Sequence, residues 1–414
     1  MKFRKGILAL CALLSALLIL LSGCAPAVEA ASSSKLTKAD KKAFASAINT
    51  FNWDLYDTAA TEENLFYSAY SIESALAMTD VAASGKTKTQ MEKVLGISDL
   101  SSFERAMKWY RKLYDDPDDE ATGKLTTANS IWLEKSLSLA KNYKTDVQEP
   151  LTTYFGAEVK RVSFKNQPEL AKKQISQWVK KNTNGMITDY EPLCDSNTVA
   201  DLINAIYFYG EWASKFESVN TAERKFYGSK GTTKVDSMVQ GELNLRYVKY
   251  NGIRGIALPY KSGTFEMDIF MAKKSTDISS TWKSADKEKL FTKLDAADTT
   301  FVRTLQLPKF TLDVTFPGLT KSLQKMGMKI PFTASADFSK LADSLYISDV
   351  GHRAKLEVDE EGSRAAAVTE VVMNETAMLE PETAIEFIVD RPFILVIRDK
   401  TNNVILFTGQ VNNL

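Results

Sequence analysis

Residues 357–373 read EVDEEGSRAAAVTEVVM, and this stretch limits the fold more than any other. Side chains of a strand alternate faces, so Ser363, Ala365, Ala367 and Thr369 would share one face, with Arg364, Ala366, Val368 and Glu370 on the other. A strand built from the segment could enter a sheet with one small face and demand little core volume. Its surroundings argue differently. Charges precede it, and the polar run NETAMLEPET follows it, the composition of an exposed loop. Loop-like in context and strand-like in alternation, the segment has the character of a switch. An ordinary helix is the competing reading, because alanine has the highest helix propensity.

The usual catalytic constellations are missing. The chain of 414 residues holds one histidine, His352, and neither a GxSxG elbow nor a comparable nucleophile turn accompanies it. No HExxH, CxxC, GxGxxG or Walker loop occurs, so neither a metal site nor a cofactor is expected and the chain does not read as an enzyme. The 52 basic and 52 acidic residues cancel, which gives no reason to expect nucleic acid as a partner.

Lys2, Arg4 and Lys5 precede an apolar run over 7–21, the charged and apolar parts of a secretion signal. The run ends in Leu21, Ser22, Gly23 and Cys24, which resembles the bacterial lipoprotein box, and that resemblance implies a lipid on Cys24. The expected organisation is a lipoprotein signal peptide over 1–23, a flexible tether over 24–38 and one domain over 39–414. The mature protein would then be tethered by its lipid to the outer side of the cytoplasmic membrane. A plain signal peptide cleaved after Ala30 is the alternative. Of the three cysteines only Cys194 remains free, which leaves no intrachain disulfide.

Phe44, Ile48, Phe51 and Leu55 form one apolar helical stripe. Residues 64–78, NLFYSAYSIESALAM, read as a short strand and then a helix opening near Ser71, and helices are expected over 99–114, 142–155 and 168–181. Residues 199–209 are a continuous apolar run, the pattern of a strand covered on both faces. Further strands are expected over 255–260, 265–272, 300–307, 384–389, 393–398 and 404–411.

Three of these stretches together resemble the serpins. The first is similar to their hinge, EVxEEGTEAAAAT, at Glu357, Val358, Glu360, Glu361, Gly362, Ala365, Ala366, Ala367 and Thr369. The second is similar to NxxxSPxSIxxALxM at Asn64, Ser68, Ser71, Ile72, Ala75, Leu76 and Met78, with Ala69 where proline is usual. The third is similar to NAxYFKGxWxxxF at Asn204, Ala205, Tyr207, Phe208, Gly210, Trp212 and Phe216, with Tyr209 in place of lysine.

The resemblance implies an α+β serpin fold of three β-sheets and eight or nine helices, with an exposed reactive-centre loop over about 362–386. It also implies a monomeric suicide inhibitor of a serine protease. The hinge, Glu360, Glu361, Gly362, Ser363, Arg364, Ala365, Ala366, Ala367, Val368 and Thr369, inserts into the central sheet after cleavage. Ser68, Ser71, Asn204 and His352 are the latch that controls strand opening. Counting forward from Glu360 places the cut between Thr376 and Ala377. No Arg or Lys surrounds that bond, which favours an elastase-like or subtilisin-like target. Counting back from the PF of DRPF lands near Pro381 instead, so the loop is about five residues longer than usual by family spacing. A non-inhibitory serpin serving as a binding or scaffold lipoprotein, and a solute-binding lipoprotein, are the alternative readings.

Overall fold

The apolar run around residue 204 becomes the middle of the main sheet. The computed structural model describes residues 35–59, 63–114, 124–183, 185, 187–274, 276–363 and 384–414. Cys24, the hinge residues Arg364, Ala365, Ala366, Ala367, Val368 and Thr369, and the expected scissile pair Thr376 and Ala377 lie outside them.

The chain begins with α1 (Lys38–Ala59), β1 (Leu65–Tyr67), α2 (Ala69–Val81), α3 (Gly85–Val94), α4 (Leu100–Lys112), β2 (Lys124–Glu134), α5 (Glu149–Tyr154), β3 (Glu158–Val162) and α6 (Pro168–Asn182). It continues with β4 (Ala200–Glu211), β5 (Ala222–Gly228), β6 (Gly231–Gln240), β7 (Leu243–Tyr250), β8 (Ile253–Pro259), β9 (Phe265–Ala272), α7 (Ile278–Ser284) and α8 (Lys287–Asp295). The last part holds β10 (Thr299–Pro308), β11 (Phe310–Thr315), α9 (Leu319–Met326), β12 (Arg353–Val358), β13 (Gly362–Ser363), β14 (Ile385–Ile388), β15 (Phe393–Asp399) and β16 (Val404–Val411). Nine α-helices among the described residues fit the expected eight or nine.

The strands form two ladders. A six-stranded sheet has the order β11-β12-β13-β4-β2-β3, and a ten-stranded one runs β1-β16-β15-β9-β8-β7-β10-β6-β5 with β14 on β10. The ten-stranded ladder contains two of the three expected sheets, joined because β10 pairs with β7 over 299–302 and with β6 over 305–308.

Burial follows the sequence pattern. The stripe Phe44, Ile48, Phe51 and Leu55 of α1 is buried, and Asp99 caps α4 by accepting from the backbone of Ser101 and Ser102. The outer face of the six-stranded sheet is covered by α6, where Ile175, Trp178 and Val179 pack with Trp132, Val162 and Ile203. The inner face looks toward α2 through Asn204, which accepts from Ser71, and Phe208 on the same face packs against Tyr260, Phe265 and Phe407. Strand β4 is therefore covered on both sides, which is why its sequence reads as an unbroken apolar run.

Candidate functional site: a strand slot and its latch

Strand β4 pairs with β2 along its length, and β12 pairs with β11 along its length. Among the described residues only β13 lies between them, with Gly362 opposite Glu211, and Ser363 opposite both Gly210 and Val358. Because β13 is antiparallel to each neighbour, β4 and β12 run parallel to one another. Among the described residues no pairing joins β4 directly to β12. The remaining inward-facing backbone groups of both strands thus form a slot that suits one antiparallel strand.

The mouth of the slot is firmly built. Ser363 is fully buried and its hydroxyl lies 2.7 Å from that of Tyr260, whose ring stacks on Trp212 at 4.8 Å. The Trp212 indole N–H donates to the carbonyl of Asp359, and the backbone N–H groups of Trp212 and Phe216 donate to the carbonyls of Glu361 and Glu360. Lys215 pairs with Glu361 at 2.6 Å, and Lys309 pairs with Glu360 at 2.8 Å. Burial pushes the Glu360 carboxyl up, but hydrogen bonds from Lys309 and Thr221 outweigh it and hold the group below its ordinary range. Asp359 accepts from the backbone N–H groups of Glu361 and Gly362, which shapes the turn out of β12. Gly362 itself is required by space, since a Cβ there would meet the Gly210 carbonyl oxygen at 2.1 Å.

Further down, the four latch residues expected from the sequence do come together. Ser68 caps α2 by accepting from the Ser71 N–H at 3.1 Å, and its own N–H donates to Nε2 of His352 at 3.0 Å. The Ser71 hydroxyl donates to Oδ1 of Asn204. Asn204 Nδ2 then donates to Oδ1 of Asn129 at 2.5 Å, and Asn129 Nδ2 donates to the Phe155 carbonyl at 2.8 Å. The chain of bonds therefore runs from His352, just ahead of β12, through the start of α2 to β4 and β2. His352 as a residue is half-buried, yet its surroundings disfavour the charged ring and hold its pKa down to about 4. Ala69 occupies the first position of α2, where proline would be favourable but is not needed, because the Ser68 cap already sets the helix start.

Sequence reasoning missed Asn129, the fifth member of the network, and the clamp residues Tyr260, Lys215 and Lys309. Asn129 lies in the stretch LTTANSIWL of β2. A buried asparagine in a strand is the signal that could have found it.

This arrangement defines a class: a sheet protein in which, among the described residues, only the short strand β13 enters the position between two parallel strands. The family model described as Serpin (serine protease inhibitor) matches residues 46–414, and the chain belongs to the serpin family. It is similar to bovine (Bos taurus) leukocyte elastase inhibitor, 35% identical, with 89% of this chain and 99% of that protein covered. It is also similar to human (Homo sapiens) antithrombin-III, 33% identical over 88% of this chain and 79% of that protein. Among solved structures it resembles the thermophilic serpin tengpin in its native state, with a TM-score of 0.80 and 30% identity, covering 92% of this chain and 96% of that one. The family is described as one of serine protease inhibitors, not of catalysts.

Proposed function

We propose that the chain is a suicide inhibitor that traps an elastase-like or subtilisin-like serine protease as a covalent acyl-enzyme. The observation that carries this reading is the placement of Gly362 and Ser363 between the parallel strands β4 and β12. If the register of β13 continues, Ala365 comes level with Phe208, Ala367 with Ile206 and Ala354, and Thr369 with Asn204 and His352. These are the inward positions, and the small residues of the hinge fall on them. Thr369 would arrive at the latch itself. Strand β4 ends at Ala200, level with Met373, three residues before Thr376, which agrees with the forward count of the cleavage site.

In the reaction the protease serine attacks the Thr376 carbonyl and expels the amine of Ala377, leaving an ester. Insertion of the freed segment then carries the enzyme away before water cleaves that ester. About a dozen new backbone hydrogen bonds at roughly 0.5–1.5 kcal/mol each contribute on the order of 10 kcal/mol, enough for a one-way step. The absence of Arg and Lys around Thr376, and the name of the bovine relative, support an elastase-like target. The N-terminal 24 residues support secretion and attachment to the cell surface through Cys24.

Incubation with elastase, chymotrypsin, subtilisin and trypsin tests this reading. An SDS-stable complex with elastase or subtilisin, and a released fragment beginning at Ala377, are expected. Preferential trapping of trypsin would overturn the assignment of target class, and cleavage without any complex would overturn inhibition. Labelling of cells with a fatty-acid analogue should tag the wild type and leave Cys24→Ser untagged.

A further inference from the structure

The turn from α2 into α3 buries more negative charge than it has cations to meet. Asp80 stands fully buried in the last turn of α2, the helix end at which the macrodipole disfavours a carboxylate. Its Oδ2 accepts from the Lys88 ammonium of α3 at 3.1 Å, while its Oδ1 has no partner among the described residues. The same ammonium meets Glu92, one turn further along α3, at 3.1 Å. Glu104 of α4 is buried near Asp80 and Lys88, and among the described residues no cation stands within ion-pair distance of it. Arg105 of α4 and Lys340, in the segment after α9, also face the group without ion-pair contact. Asp337 of that segment lies beside the turn, but its carboxylate is taken up by Ser339. Two carboxylates thus share one ammonium, and a third has none.

We infer that Asp80, Glu104 and Lys88 form a proton-sensitive brace between α2, α3 and α4, tight when the acids hold a proton and looser when all are ionised. A proton on either acid removes a buried charge and gives the carboxyl a hydrogen to donate. Burial pushes Asp80 up to about 6 and Glu104 up to about 7, against the pull of Lys88. The unfolded carboxyls titrate near about 4, so the folded chain binds more protons around neutrality. Stability tied to the brace is therefore complete below about pH 4 and is lost as pH rises through about 6 to 7. The His352 ring, which burial keeps neutral, works in the opposite sense. Helix α2 begins with the Ser68 cap and Ser71, so brace and latch stand at the two ends of one 13-residue helix. None of this depends on the trapping reaction.

Urea unfolding of wild type, Glu104→Gln and Lys88→Met at about pH 6 and about pH 8 tests the brace. Glutamine has the shape of a protonated glutamate, so Glu104→Gln keeps the acid-side arrangement at both values. Between them the wild-type folding constant should fall by about tenfold more than that of Glu104→Gln, the equivalent of one pKa unit. Lys88→Met leaves the acids without their ammonium and should lose more stability at the higher pH than at the lower. Hydrogen exchange places the effect in the wild type itself: amides of α2 should lose protection relative to those of β15 and β16 as pH rises, and should keep it in Glu104→Gln. Parallel pH curves for wild type and Glu104→Gln overturn the brace. So does a Lys88→Met deficit that is the same at both pH values, or α2 protection in the wild type that does not respond to pH.

Discussion

The backbone N–H of Ser68 donates to Nε2 of His352 at 3.0 Å. An accepting nitrogen carries no proton, so the neutral ring holds its hydrogen on Nδ1, and protonation would set two donors face to face. Burial holds the ring at a pKa of about 4 against 6.5 when free. The unfolded ring therefore takes up its proton below about 6.5 and the folded ring only near 4, so the stability tied to this contact is complete above pH 6.5 and is lost as pH falls toward 4. At about 1.36 kcal/mol per unit the loss reaches about 3 kcal/mol, reduced by solvent at the exposed edge of the ring. Urea unfolding of wild type and His352→Gln at neutral pH and near pH 4.5 measures it. Wild type should lose more stability on acidification than the variant, and equal losses would reject the role of the ring.

Asn129 joins β2 to the latch by accepting from Asn204 and donating to the Phe155 carbonyl. In Asn129→Ala the Asn204 amide and the Phe155 carbonyl both lose a partner in a buried place. A cost of about 1–3 kcal/mol in the native form is expected, together with faster spontaneous passage to an inactive, loop-inserted state. Urea midpoints and the time course of lost inhibition at elevated temperature report the two effects.

Ser363 is buried against Tyr260 at the head of the slot. Ser363→Arg would require a long cation on the inner face, and burying an unpaired charge is costly. The variant should be cleaved without trapping, seen on gels as cleaved monomer in place of SDS-stable complex. Ser363→Ala loses only one hydrogen bond, about 1 kcal/mol, and should keep most of its inhibition.

Away from the slot, Arg398 is almost fully buried and pairs with Asp268, Glu266 and Asp295. Burial pushes the Asp268 carboxyl up while Arg398 pulls it down. Arg398→Met leaves buried acids facing one another without this cation, and a loss of about 3–5 kcal/mol is expected. Thermal and urea unfolding should both register it, and a stable Arg398→Met protein would show that Arg246, paired with Glu266 and Asp295, suffices alone.

Much of the fold was legible because its signals are local. The stripe of α1 and the apolar run of β4 each state their element within a few residues. Strands β5, β6 and β7 were not read: much of β5 and β6 is exposed, so hydrophobic alternation has nothing to report there. Pairing between strands holds them, and pairing is invisible in a single segment.

The sequence by itself determined which residues the proposed insertion would use. The small residues on one parity from Ser363 to Thr369 and the lone His352 are properties of the chain alone. Only the tertiary structure decided where that change is received. Glu361 meets Lys215 across 146 residues, Ser68 meets His352 across 284, and Asn129 enters the latch from a strand 75 residues before Asn204. Such contacts depend on which strands become neighbours and in what register. A shift of one residue would turn Glu357 inward and Leu356 outward, so partners at the slot exist only once the whole sheet has closed on its core.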